Sequence, residues 1–378
     1  MNTTLKDKKS NYDNDVIETD EDNPEEYNTN NGGLYPYDPL KADIDIRENP
    51  YTVFQLKRRC DQGKIILDPE FQRNPNIWNQ EQKSKFIESI ILNFPLPYWY
   101  VKQTKHGKYI IVDGLQRTLA LSEFIDNQFK LTGLEALPRL NDHNFSELKK
   151  LEGDFQTRIE DKKISLYVMQ PSVPSKVVYD IFNRINTGGT KLIRQEIRNC
   201  IFVGKSTKLL KELSEQEYFK QAIDNGFSPE RMKDRELILR YLAFKISDYY
   251  QDYQGDMSDF IEEAMKKINL MSDNQINELS KDFERVMKLT YEFFGQENFR
   301  LPNDKNRGRV NMIMFESISY FFSTHCDDFL KQHKETIKRN FLKLRENKEY
   351  VGFIKRVRDN KNIVLRRFDL AQKILGDV

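Results

Sequence analysis

A short β-branched run feeding directly into a helix constrains this chain more than any other feature. Lys108-Tyr109-Ile110-Ile111-Val112 reads as a buried strand. Residues 117–124 then carry apolar side chains at helical spacing. Asp113 and Gly114 therefore sit where a strand turns into a helix. The first N–H groups of a helix have no internal partners, and the helix dipole is positive there, so such a corner is a ready anion site. Gln116 and Arg117 fall in the first helical turn, within side-chain reach of a bound phosphate. No Gly-Lys-Ser/Thr follows, so this is not a P-loop.

Around this corner, short strands and helices alternate. Strands are expected at 65–67, 98–101, 109–112 and 164–169, and helices at 51–63, 80–92, 177–185 and 193–203. Gly107 marks a hairpin turn, and residues 126–163 read as a variable insert. Beyond residue 204 the strand signals fade. Helical patterns run over 233–250, 257–270, 273–294, 310–324, 329–345 and 362–375. The fold class is therefore α+β, with a mixed domain at 43–203 and an α-helical domain at 204–378. Both follow a tail at 1–42 too polar and acidic to order on its own.

Four segments in order resemble the N-terminal domain of GmrSD-type, modification-dependent restriction enzymes. Gly114-x-x-Arg117-x-x-Ala120 is similar to the nucleotide-binding box of the ParB/sulfiredoxin-like fold, and the longer string to the DGQQR motif, with Leu115 in place of the first Gln. The others are Pro69-Glu70-Phe71-Gln72-Arg73-Asn74 followed by Trp78, the run 182–190 (FNRINTGGT) followed by Gln195-Glu196-Ile197-Arg198-Asn199, and Lys233-Asp234-Arg235-Glu236. The resemblance implies a bacterial restriction or anti-phage defence protein that binds, and hydrolyses, a nucleoside triphosphate (GTP, ATP or CTP) with Mg²⁺, acting on or near DNA or with a partner effector protein. A homo-oligomer is compatible with it.

Site roles follow from residue chemistry and that resemblance together. Arg73 and Arg117 offer planar, permanently charged forks suited to phosphate. Asp113 suits a magnesium ligand or a water-positioning carboxylate, with plain N-capping as its alternative. Gln116 suits orientation of an attacking water. Gly114 opens the helix, while Arg184, Asn186, Gly188 and Gly189 form a second loop able to approach the phosphates closely. Gln72, Glu196 and Asn199 are expected behind these groups. Two rival readings stand beside this one: an endonuclease or nickase using the same corner, and a non-enzymatic interaction protein with a degenerate site.

Charge is unevenly spread although the total is only +1. Residues 1–45 hold twelve acids and four lysines, and residues 331–373 hold fourteen Lys/Arg against five acids. Lys355, Arg356, Arg358, Arg366 and Arg367 within that basic stretch are expected to meet DNA phosphates, the alternative being a solvated helix face. Three scattered cysteines, Cys60, Cys200 and Cys326, suit reduced thiols in buried positions and a cytoplasmic protein. Four histidines (His106, His143, His325 and His333) lack the spacing of a metal nuclease. No apolar run is long enough to cross a membrane.

Overall fold

A computed structural model describes residues 44–67, 78–185, 194–225, 232–302, 308–355 and 359–378. The chain divides into two compact units, with the boundary in sequence between Ile201 and Phe202.

The first unit is built on a five-stranded sheet: β1 (Ile46–Thr52), β2 (Ile65–Ile66), β3 (Trp99–Gln103), β4 (Tyr109–Asp113) and β5 (Lys163–Met169), in the order β1-β5-β3-β4-β2. β3 pairs antiparallel with β4 and parallel with β5; β1 closes one edge antiparallel and β2 the other parallel. Side chains alternate across a strand, so Trp99, Val101, Tyr109, Ile111, Ile164, Leu166 and Val168 share one face. That face is covered by α1 (Val53–Asp61), α2 (Gln80–Ile91) and α3 (Leu115–Ile125), through Leu56, Ile87, Ile90, Leu121 and Phe124. Each such side chain contributes about 1.5–3 kcal/mol by leaving water. On the opposite face, α5 (Ser175–Ile185) and α6 (Arg194–Ile201) lie against β4.

Two expectations are corrected here. The helix expected from residue 51 starts at Val53, because Tyr51 and Thr52 end β1 and the Thr52 hydroxyl caps the helix in a box with Gln55. β1 itself gives no local signal. It is polar and holds Pro50, which an edge strand tolerates, and only its pairing with β5 makes it a strand. Residues 126–163, expected as a variable insert, are integral to the core of the unit. Two short 3₁₀ turns and α4 (Phe155–Glu160) deliver Leu131, Leu140, Phe145, Leu148, Phe155 and Ile159 into the same core.

The second unit is helical among its described residues, apart from one isolated bridge between Arg300 and Val310. Its centre pairs helix Lys233–Ile246 with helix Met312–Thr324. Between them lies a buried ionic cluster. Arg240 reaches Glu316 at 2.9 Å, and Arg367 reaches Glu316 and, at 3.0 Å, Asp359. The helix expected at 329–345 is two helices, Asp327–Gln332 and Lys334–Glu346, broken at His333. No helix among the described residues is long and apolar enough to cross a membrane.

Candidate nucleotide site

The β4–α3 corner is built by Gly114. It stands at φ +105°, ψ +10°, a conformation that L side chains rarely adopt, and it begins α3 with no side chain capping it. A Cβ there would lie 2.5 Å from Cδ1 of the buried Trp99, so only glycine lets the chain turn this closely against the indole. Trp99 is fixed in turn: its Nε1 donates to Thr118 Oγ1 at 2.9 Å, and that hydroxyl donates to the Gly114 carbonyl at 2.9 Å. Asp113 does not cap this helix.

Asp113 instead pairs with Arg117, Nη2 to Oδ2 at 2.6 Å. The same guanidinium donates to the carbonyls of Pro97 (2.5 Å) and Tyr98 (3.1 Å) and lies 4.3 Å over the Trp99 ring. Arg117 is only 8% exposed. Burial pulls its pKa down from the ordinary arginine value, and Asp113 opposes that pull. Arg117 thus clamps the entry to β3 onto the corner and fixes a positive charge behind the first turn of α3. The Asp113 carboxylate remains a third exposed.

A register shift in the β3–β4 ladder places that carboxylate. Val101 pairs with Ile111, yet Tyr100 pairs with Asp113. Strict alternation would return Asp113 to the core face of Tyr109 and Ile111; the shift sets it opposite Tyr100 instead. Gln116 lies in the first turn of α3, half-buried, and its Oε1 accepts from the backbone N–H of Trp78 at 3.4 Å.

Other expected site residues are placed separately. Arg184, on the last turn of α5, is largely exposed and pairs with Asp180 at 2.9 Å. Glu196 and Asn199 are buried in α6, where Asn199 accepts from Gln195 at 3.2 Å and Gln195 from Arg198 at 3.3 Å. α6 is therefore a buried polar helix beside β4, not a surface one. Gln72, Arg73, Asn186, Gly188 and Gly189 lie outside the described residues, as do the tail at 1–42, Arg356, Arg358 and the side chain of Lys355.

The basic strip needs correction at one member. Arg366 is exposed and paired with Glu349 at 2.8 Å, but Arg367 has no exposed surface. Burial works against its charge, and Glu316 and Asp359 outweigh that effect. Arg367 is thus a core residue of the helical unit, out of reach of DNA phosphate. Of the cysteines, Cys200 is buried, Cys60 half-buried with its thiol pushed up to about 12 by burial, and Cys326 exposed, against the expectation for it. His325 stacks between Phe321 and Phe329. No cluster of three His, Cys, Asp or Glu side chains able to hold a metal occurs among the described residues.

Sequence reasoning overlooked Trp99 and Thr118, which hold the corner, and the backbone carbonyls that Arg117 engages. The aromatic run Tyr98-Trp99-Tyr100 ahead of the hairpin was the available signal. Comparison with curated proteins and with solved structures finds no match. A family model, that of the GmrSD restriction endonuclease N-terminal domain, matches residues 53–203, which span the corner, its clamp and every strand of the sheet except β1. Residues 53–203 are thus similar to the GmrSD restriction endonuclease N-terminal domain, a likeness that points to restriction-related defence.

Proposed function

We propose that the first unit binds a nucleoside triphosphate at the β4–α3 corner and hydrolyses it, serving restriction-type defence in which the nucleotide gates engagement of DNA or a partner effector. The single observation that carries this reading is the start of α3, turned by a glycine, left without a side-chain cap, and backed by the fixed charge of Arg117. Backbone N–H groups at such a start favour an anion. The ParB/sulfiredoxin-like reading of the fold puts phosphates at this same box.

The residues present fit a nucleotide-borne magnesium ion better than a dedicated metal cage. One carboxylate, Asp113, faces the corner beside Arg117, and magnesium is commonly held by one or two carboxylates plus substrate phosphates. Bound there, the ion would neutralise phosphate charge. The protein's own groups then have separate tasks. Arg117 holds Asp113 and the loop at Pro97–Tyr98 in place, and Gln116, anchored near Trp78, is set to orient a water.

Phosphate release from each triphosphate with Mg²⁺ tests this. We expect turnover in the intact chain and a loss of about tenfold or more in Asp113→Asn and Gln116→Ala, the scale of one positioned catalytic group. Equal turnover in both variants and the parent would overturn the assignment. Plasmid cleavage without phosphate release would favour a nuclease.

A further inference from the structure

Three tyrosines, Tyr98, Tyr100 and Tyr167, crowd the sheet face next to this corner. Tyr100 pairs with Asp113 across β3–β4, and Tyr167 pairs with Tyr100 across β3–β5. Glu48 of β1 continues the same row beyond Tyr167. Asp113, Tyr100 and Tyr167 therefore stand in one line across three strands, with the two rings about 5 and 10 Å from the acid at normal strand spacing. The rings are stacked, with centroids 5.4 Å apart and planes at 27°. Tyr98 adds a third ring 4.8 Å from Tyr167 and is 48% exposed.

Elsewhere on this face Ile110, Val112 and Met169 are buried. Tyr98, Tyr100 and Tyr167 remain accessible to water. The cluster is also tied to the corner itself. Arg117 donates to the Tyr98 carbonyl, and Tyr100 is close enough to act on the Arg117 charge.

We propose that Tyr98, Tyr100 and Tyr167 form a stacking platform for the base of the nucleotide whose phosphates occupy the β4–α3 corner. The inference rests on the nucleotide reading and adds the second half of the ligand. A planar base stacks favourably on tyrosine faces whatever its identity. The phosphate end is met by backbone N–H groups and the base end by rings one or two strands away, so a single ligand can span both. A bare polyphosphate would use only the corner.

Calorimetric titration of the full chain with Mg²⁺, using ATP, CTP, GTP and inorganic tripolyphosphate as probes, separates the two halves. Tyr167→Ser and Tyr100→Ser should weaken the tightest nucleoside triphosphate about tenfold or more, the usual scale for one lost base–aromatic stack, and leave tripolyphosphate unchanged. Tyr167→Phe keeps the ring and should keep parental affinity. Serine variants that bind the nucleotide as well as the parent, or that weaken both classes of probe equally, would overturn the platform while leaving the phosphate corner standing. Absence of binding by any probe to the parent chain would remove the corner and the platform together.

Discussion

Replacing Gly114 by alanine tests the geometry on which the site depends. Two costs add. At φ +105° an L residue is strained by about 1–3 kcal/mol. The new methyl would also lie 2.5 and 2.8 Å from Trp99 Cδ1 and Nε1. Overpacking of this kind costs about 1–3 kcal/mol when the neighbour cannot yield. Trp99 cannot yield readily, because Thr118 holds its Nε1 and Arg117 lies over its ring. The total is about 2–6 kcal/mol, the sum of the two ranges. Gly107 supplies an internal control: it is also left-handed, at φ +75°, but has nothing within 4 Å of a Cβ. Alanine there should cost about 1–2 kcal/mol, from backbone strain alone. Both tryptophans, Trp78 and Trp99, belong to the first unit, so urea unfolding followed by tryptophan fluorescence reads that unit selectively. A Gly114→Ala variant no less stable than Gly107→Ala would refute the close approach of chain and indole.

Three further outcomes follow from contacts elsewhere. Arg117→Lys should destabilise the first unit by about 1–3 kcal/mol in the same assay, since a lysine lacks the planar fork whose separate nitrogens reach Asp113 and two carbonyls while lying over the Trp99 ring; an unchanged midpoint would mean the clamp is idle. In the helical unit, Arg366→Ala should change stability by less than about 1 kcal/mol because its ion pair is exposed, whereas Arg367→Ala should cost about 3–5 kcal/mol by leaving buried Glu316 with Arg240 alone and Asp359 without its closest partner; similar values by denaturant-monitored circular dichroism would contradict that placement. Burial pushes Asp234 up to about 6 from 3.8. Its folded form therefore holds a proton more tightly than the unfolded chain. Stability should fall as pH rises through this window, by up to about 3 kcal/mol, and Asp234→Asn should flatten the slope between about pH 4 and pH 6.

How much the sequence discloses depends on whether the cause is local. The strand at Tyr109–Asp113, the turn at Gly114 and the helix after it were legible, because a β-branched run, a glycine and a helical apolar spacing each act over a few residues. Helix α2 was legible for the same reason, with Asn79 capping it through Gln82. β1 was not, since a polar segment with Pro50 becomes a strand only through β5, more than a hundred residues away. The fate of Arg117 was also hidden. Its position in the first turn was readable, but the carbonyls of Pro97 and Tyr98 come from another element and leave no trace in the local pattern. Arg366 and Arg367 make the point most plainly: adjacent and identical in sequence, one is solvated and the other sits in the centre of a helical core because successive helical residues point about 100° apart. Glu196 and Asn199 of α6 were expected behind the phosphate-binding groups, but nothing in their own sequence announces the neighbouring sheet strand beside which they are buried.

The most direct measurement is a structure of the full chain with a non-hydrolysable nucleoside triphosphate and Mg²⁺. A phosphate is expected within about 3 Å of the backbone nitrogens opening α3, at Leu115 and Gln116, with Asp113 on its flank. Phosphates bound elsewhere, or a corner still closed over by side chains at saturating ligand, would contradict it.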